Sequence, residues 1–324
     1  MSTEFLTALV YQIRYEAEGI ISVELRPEAG AADFPAFTAG SHIDLKLPNG
    51  MTRSYSLYNS PAETNRYVVG ILRDKKSRGG SEWVHKQLRV GMRLPIGAPR
   101  NAFPLETAAN NSVLVAGGIG ITPILCMFRE LLQQGKTAEL IYCARARGEA
   151  AFIDEICQLV EQYPTGKVTF RFDEEEGTPP NLEQLLHGRD PQTHFYCCGP
   201  TPMLDSFEAT CERLGYTEVH IERFAPVEIA ASADARSSYV VELAKSGETL
   251  QINPGDVLLE RLEEAGVAVD CSCREGVCGA CEVAVLEGEI DHRDGVLTKA
   301  EKAANNTIMI CVSGCKSERL VLDL

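Results

Sequence analysis

Four cysteines near the C-terminus constrain this chain more than any other feature: Cys273, Cys278, Cys281 and, thirty positions after the third, Cys311. Their C-x4-C-x2-C…C pattern is the ligand spacing of a plant-type [2Fe–2S] cluster. Two bridged irons need four thiolates, and one tight loop supplies three. In CREGVCGAC, Gly276 and Gly279 leave backbone N–H groups room to approach the sulfurs. Cys311 follows the apolar run Thr307-Ile308-Met309-Ile310, so a buried strand can deliver it to the second iron. The pattern points to one-electron transfer.

Other uses of cysteine fit less well. A structural zinc site would present two C-x2-C pairs or add histidine, and no histidine lies near this loop. The N-terminal MSTEFLTALVYQIRYEAEG has no basic start and no continuous apolar core, so it does not read as a signal peptide. A disulfide framework is therefore not expected, and the chain reads as cytoplasmic. Cys271 gives the wrong gap to Cys278, while Cys315, in the polar stretch SGCKSE, competes with Cys311 for the fourth position. The remaining six, Cys126, Cys143, Cys157, Cys197, Cys198 and Cys211, read as small buried hydrophobes, with Cys198 an exception taken up below.

At 324 residues the chain suggests two or three domains. No apolar run approaches 18 residues, so no membrane span is expected. A net charge of −15 argues against nucleic acid as a partner. From Ile229 to Leu324 there are 17 acidic and 9 basic side chains, a net of −8. That excess serves either ordinary solubility or an acidic face that steers a basic redox partner.

The first hundred residues read as short strands (LTALVYQIRYEA, IISVELRP, HIDLKLP, RSYSLYN, RYVVGILRD) interrupted by one helix, SEWVHKQL, and suggest a small antiparallel β-barrel. From Asn111 strands and helices alternate. SVLVA, AELIYCA, KVTFRF, THFYCC and EVHIERF are strands; amphipathic ITPILCMFRELLQQG, AFIDEICQLVEQY and PTPMLDSFEATCERLG are helices. That alternation predicts a parallel α/β sheet covered on both faces. The small, polar, aperiodic PVEIAASADARSS reads as a linker. Beyond it YVVELA, ETLQI, VLLERLEEAG, CEVAVLEGEI and TIMICVS form a compact β-rich unit around the cluster loop. The expected segments are 1–105, 106–226, the linker 227–238, and 239–324.

Two nucleotide sites are readable. Gly117-Gly118-Ile119-Gly120-Ile121-Thr122-Pro123 leaves a buried strand and enters a helix, where glycines admit a pyrophosphate and the helix start favours its charge. The motif is not the standard G-x-G-x-x-G fingerprint, so a plain tight turn competes with this reading. A second strand end, Cys198-Gly199-Pro200-Thr201-Pro202-Met203, supports it, because ligands of open α/β sheets bind beyond the strand C-termini. In the barrel, Arg53-Ser54-Tyr55-Ser56 puts a cation, two hydroxyls and an aromatic on one strand. Arg78-Gly79-Gly80-Ser81 opens a helix as a phosphate cradle. Taken singly, Arg53 could be a surface arginine and the Gly pair a simple loop.

In this order RSYSL, SRGGS, GGIGITP, YCCGPTPML, ERF and CSCREGVCGACEV resemble the phthalate dioxygenase reductase family, which includes the vanillate demethylase reductases, over essentially the whole chain. The resemblance implies a flavin-binding antiparallel β-barrel, an α/β nucleotide domain and a C-terminal plant-type ferredoxin (β-grasp) domain. It implies FMN, [2Fe–2S] and NADH as cofactors, with hydride passing from NADH to FMN and single electrons passing through the cluster to a terminal Rieske oxygenase. Arg53, Ser54, Tyr55 and Ser56 would line the flavin, with Gly70 and Leu72 alongside, and Arg78, Gly79, Gly80 and Ser81 would hold its phosphate. Thr122 would lie near the flavin. Cys198 would sit by the nicotinamide C4, with Gly199, Pro200 and Met203 lining its site. Phe224 would cover the ring, or else be a core aromatic. Arg145 would meet the dinucleotide, or else make a surface salt bridge. NADH over NADPH is implied mainly by the resemblance; Arg145 and Arg147 could hold a 2′-phosphate, but Asp173-Glu174-Glu175-Glu176, if close by, would repel it. Cys271 and Cys315 depart from the family pattern. The alternative is an FAD-dependent reductase for a separate ferredoxin or diiron monooxygenase, although those place the cluster first. A monomer is expected; the organic substrate of the partner is not encoded here.

Overall fold

The computed structural model describes residues 5–75, 77–226 and 238–324, which fall into two compact units divided between Phe224 and Ala225. In the first unit, strands β1 (Leu6–Ala17), β2 (Ile20–Pro27), β3 (His42–Lys46), β4 (Thr52–Ser56) and β5 (Tyr67–Leu72), helix α1 (Gly80–Gln87) and strand β6 (Arg93–Ile96) come first. The strands pair antiparallel in the order β4-β3-β6-β1-β2-β5. A bridge between Leu57, just past β4, and Val69 of β5 brings the ends together into a barrel. Strand β1 carries register shifts at Val10/Gln12 and Tyr15/Ala17, bulges that bend a 12-residue strand round the curve. Strand β6 was not predicted. It is four residues long, contains Pro95, and owes its place to pairing with β1 and β3.

The chain continues through β7 (Asn111–Gly117), α2 (Ile121–Gln133), β8 (Thr137–Ala144), α3 (Ile153–Gln162), β9 (Gly166–Phe172), α4 (Asp173–Glu176), α5 (Leu182–Leu186), β10 (His194–Cys198), α6 (Thr201–Leu214) and β11 (Val219–Glu222). The five strands are parallel in the order β11-β10-β7-β8-β9, as the alternation predicted. The order reverses between β7 and β10, so a crevice opens at their C-terminal ends. The short helices α4 and α5 were not predicted; Asn181 caps α5 by accepting the Gln184 N–H at 3.1 Å.

Helix α2 departs from its amphipathic reading. Eleven of its 13 residues are buried, because the barrel covers the face that the sheet leaves open. One apolar core runs through both: Leu57 and Val69 of the barrel belong to the same cluster as Ile124, Leu125 and Phe128 of α2. Arg129 of α2 is 8% exposed; it donates to the Tyr58 carbonyl of the barrel and pairs with Glu155 of α3. The expected boundary at 105/106 falls inside the first compact unit.

The second unit holds β12 (Tyr239–Leu243), β13 (Thr249–Ile252), α7 (Leu258–Glu264), β14 (Glu282–Glu287), β15 (Ile290–Asp291), α8 (Lys299–Ala304), β16 (Thr307–Met309), β17 (Gly314–Cys315) and β18 (Arg319–Leu322). Its mixed sheet runs β13-β12-β18-β14-β16, with β12 and β18 parallel at the centre, and β15 pairs with β17 apart from it. Leu258, Leu259 and Leu262 of α7 are buried in the core formed with this sheet, a β-grasp arrangement. Helix α8 was not predicted. It has no buried residue and starts on a Thr298–Glu301 capping box. The expected linker, apart from Ser238, lies outside the described residues. Among the described residues no helix is long and apolar enough to cross a membrane.

Candidate redox and nucleotide sites

Strand β4 divides its residues between two faces, as its two-residue period requires. Arg53 and Tyr55 share one face, and Ser54 and Ser56 the other. Arg53 lies against the start of α1: a Cβ on Gly80 would come within 2.7 Å of its Nε. A guanidinium over a helix start is an anion cradle, and it suits the terminal phosphate of FMN. Gly79, at φ 108°, takes the left-handed turn into α1. Ser77, quoted only as part of SRGGS, accepts the Gly79 N–H at 3.1 Å and the Ser81 hydroxyl at 3.1 Å. Ser81 in turn accepts the Asp74 N–H, and Arg78 lies exposed beside it. Burial pushes the Tyr55 hydroxyl up to about 12, so it stays protonated. Ser54, expected at the flavin, instead donates to Asp44 at 2.6 Å, and Asp44 pairs with Arg100 at 2.7 Å. This network ties β3 to β4 and the loop after β6, which turns Ser54 away from Arg53 and Tyr55.

Gly70 marks the seam between barrel and parallel sheet. A Cβ there would meet Thr122 Cγ2 at 2.7 Å and Phe152 Cζ at 3.2 Å. Thr122 is buried and donates to the Ile119 carbonyl at 3.1 Å, so it lies at the seam as expected. Leu72, two residues along β5 from Gly70, is exposed at the strand end. Phe152, which no sequence signal marked, holds a left-handed φ of 65° and packs its ring tilted against Tyr58, centroids 4.5 Å apart.

At the crevice, strand ends β7 and β10 meet almost backbone to backbone. A Cβ on Gly117 would lie 2.6 Å from Met203 Sδ and 2.7 Å from Pro200 Cδ; one on Gly120 would lie 2.2 Å from the Cys198 carbonyl oxygen. One on Gly199 would lie 3.1 Å from Gly117 Cα. These three glycines are needed for the chain's own close approach. Only Gly118, at φ 54° with nothing within 4 Å, is left open to a ligand. The pyrophosphate reading of the motif therefore narrows to Gly118 and the N-terminus of α2.

Beside this junction Cys198 is fully buried, and its thiol donates to Glu222 Oε2 at 3.9 Å. Glu222 also takes a hydrogen bond from Ser56 of β4, so its carboxyl joins the barrel to the strand end. Part of the Glu222 side chain reaches the surface, yet the carboxyl itself is enclosed, and the carboxyl's surroundings set its proton affinity. Burial raises it to about 8, against hydrogen bonds from Ser56 and Cys198 that lower it. Burial and Glu222 together push the Cys198 thiol well up, so this cysteine is no nucleophile. Glu222 was quoted only as part of ERF; its register opposite Cys198 gives it its place.

Arg145 is exposed, and its carbonyl accepts the Glu174 N–H at 2.9 Å. Among the described residues it makes no ion pair, against the salt-bridge alternative. Arg147 is held instead: its Nε lies 3.0 Å from Glu175 Oε1, and its guanidinium stacks 4.5 Å over Phe172. Phe224 is 40% exposed and so is not a core aromatic, while neighbouring Arg223 anchors to Asp205 and Glu208 of α6.

In the second unit the loop brings the four thiols together. Cys273 contacts Cys278 and Cys311, and Cys281 contacts Cys311. Hydrogen bonds from Cys278 and then Cys311 hold the Cys273 thiol far below its ordinary value. Gly276 and Gly279, at φ 69° and 71°, turn the loop, and N–H groups point at its sulfurs, Glu275 N to Cys273 Sγ at 3.3 Å. Four convergent thiols ringed by backbone donors fit a [2Fe–2S] cluster. Cys315 stands apart, donating to the Ser317 carbonyl at 3.2 Å, and Cys271 faces Glu263 at 3.8 Å. All twelve cysteines are free; of the six read as buried hydrophobes, Cys157 is only half-buried.

Residues 241–316 match the 2Fe-2S iron-sulfur cluster binding domain, and residues 114–209 the oxidoreductase NAD-binding domain. The chain is 45% identical to phenoxybenzoate dioxygenase subunit beta of Ectopseudomonas oleovorans, over 97% of this chain and 96% of that protein. It is 44% identical to tetrachlorobenzoquinone reductase of Sphingobium chlorophenolicum, over 97% of each. It is 40% identical to vanillate O-demethylase oxidoreductase of Pseudomonas sp. strain HR199, over 98% of this chain and all of that one. Among solved structures, phthalate dioxygenase reductase superposes with a TM-score of 0.71 at 36% identity, covering 99% of this chain and 98% of that one. An intact type IV self-sufficient cytochrome P450 monooxygenase superposes at 0.90 with 35% identity; the chain spans 41% of that longer protein.

Fold, thiol loop and strand-end crevice together define an NADH-dependent iron–sulfur flavoprotein oxidoreductase with FMN and [2Fe–2S] as its cofactors. The chain belongs to the phthalate dioxygenase reductase-like family.

Proposed function

We propose that this chain is the reductase component of a two-component oxygenase system, taking hydride from NADH onto FMN and passing single electrons through [2Fe–2S] to a terminal Rieske non-haem iron oxygenase. The observation that carries the reading is that one chain holds both a strand-to-helix turn left open at Gly118 and a converged set of four thiols. Bound FMN supplies the conversion from two-electron to one-electron chemistry, and the cluster supplies a one-electron store.

The chain's own residues bind, orient and shield. Arg53 and the start of α1 hold the flavin phosphate, with Arg78 adding charge, while Tyr55 and Gly70 border the ring. Gly118 and the N-terminus of α2 receive the dinucleotide phosphates; Cys198 borders the nicotinamide, and exposed Phe224 covers it. Hydride transfer needs no acid or base, so positioning carries it. Glu222, protonated at neutral pH, holds its proton within reach of Ser56 and Cys198 and keeps a negative charge out of the crevice. The segments 1–105, 106–226, the linker 227–238 and 239–324 describe the division of labour. A monomer in the cytoplasm is the expected state, consistent with twelve free cysteines.

Anaerobic titration with NADH, followed by absorbance, tests the reading: three electrons per chain are expected, two at the flavin and one at the cluster. Uptake of two without bleaching of the cluster bands would overturn it. The relative named as a quinone reductase favours a second reading, in which a small quinone accepts electrons directly. In that case quinone reduction would survive loss of the cluster.

A further inference from the structure

His194, at the start of β10, and His220, in the middle of β11, project from the same sheet face as Cys198 and Glu222, because residues two apart share a face. His194 Nδ1 lies 3.2 Å from His220 Nε2, and the rings are nearly parallel at 5.5 Å. Two ligands bound 2.0–2.1 Å from one ion stand roughly 2.9 Å apart at a right angle and roughly 3.4 Å apart at the tetrahedral angle. The observed separation falls between them. Glu218, two residues before His220, completes the group: one ligand atom from each of the three residues lies within 4.8 Å of the others. Tyr196 stacks on His220 at 4.5 Å and fixes its ring, and the Tyr196 hydroxyl is itself held by the Glu106 N–H at 2.8 Å.

We propose that His194, Glu218 and His220 form a site for a divalent first-row transition ion, Zn2+ in particular. Two imidazoles and one carboxylate suit a borderline ion and leave a fourth position for water; Mg2+ and Ca2+ prefer oxygen ligands alone. The site lies on the edge ladder of the parallel sheet beside the Phe103–Glu106 connection, about 13 Å along β10 from Cys198 at 3.3 Å per residue. An ion there ties edge strand β11, which carries Glu222, to β10. None of the three ligands belongs to the flavin, nucleotide or cluster sites.

Calorimetric titration of tag-free holoprotein with Zn2+ tests this, since flavin and cluster are loaded and the four cluster thiols are already engaged. One equivalent is expected to bind. His220→Ala, His194→Ala and the conservative Glu218→Gln should each weaken binding more than tenfold, the loss reached when even an outer partner of a bound metal is removed. Flavin and cluster absorbance report that each variant is folded, and Cys271→Ser/Cys315→Ser should bind as wild type does. No heat from the wild type, equal binding by wild type and His220→Ala, or loss of binding in the double cysteine variant would each overturn the proposal.

Discussion

Cys198 and Glu222 face each other across the last register pair of β10 and β11, thiol to carboxylate at 3.9 Å, and Ser56 of the barrel reaches the same carboxyl. The end of β10 in the parallel sheet and strand β4 of the barrel are thereby joined through one carboxyl. This couples the junction of barrel and parallel sheet to pH.

The sign of that coupling follows from the shift. Glu222 titrates at about 8 in the folded chain against 4.5 when unfolded, so the folded state holds the extra proton between those values. Stability is fully present below about pH 4.5, falls as pH rises, and levels off above about 8. The loss is on the order of 5 kcal/mol. Thermal melts of wild type and Glu222→Gln between pH 5 and 8 should show the wild-type midpoint falling and much of that fall absent in the variant. Identical pH slopes would refute the enclosed carboxyl.

Two of the crevice glycines should fail in different ways. Gly120→Ala drives a Cβ to 2.2 Å from the Cys198 carbonyl and must displace backbone, costing about 1–3 kcal/mol or more. Gly118→Ala meets open space but keeps a left-handed φ, costing about 1–2 kcal/mol. Urea unfolding should rank them in that order. NADH KM should rise for Gly118→Ala, because its methyl group stands where the ligand approaches.

Cys273→Ser should abolish electron transfer to a one-electron protein acceptor while leaving NADH-driven reduction of a two-electron dye near wild type. Absorbance should show the flavin band kept and the cluster bands lost. Survival of both activities would remove Cys273 from the ligand set.

Coenzyme choice should rest on Arg147. Glu175 and the ring of Phe172 hold its guanidinium, and the acidic α4 beside it repels a 2′-phosphate. Glu175→Gln frees the cation and removes one charge, so the NADH/NADPH ratio of kcat/KM should drop on the order of tenfold, a change of about 1.4 kcal/mol. Because the pair is exposed, stability should move by less than about 1 kcal/mol. An unchanged ratio would place the 2′-position elsewhere.

Much of the architecture was legible because its signals are local. The spacing of Cys273, Cys278 and Cys281 is written within nine residues, and the alternation from SVLVA to EVHIERF follows from periodicity alone. Elements without a period of their own were missed: β6 exists through its neighbours, and α4, α5 and α8 are too short to carry a stripe. Residues of the site were missed where their role depends on a cross-strand partner. Ser54 was read with Arg53 because they adjoin in sequence, yet the strand pleat sends it to Asp44.

Taken alone, the amino-acid sequence determined the thiol spacing, the parallel character of the middle sheet and the order of the motifs, since each depends on residues close along the chain. Only the tertiary structure decided that α2 is buried on every side, that Gly117, Gly120 and Gly199 serve backbone contact, and that Glu222 holds a proton between Cys198 and Ser56. It also decided that His194 and His220 meet. Such pairings join residues from 24 to well over 100 positions apart, and strand register and core packing, which no local pattern encodes, bring them within bonding distance.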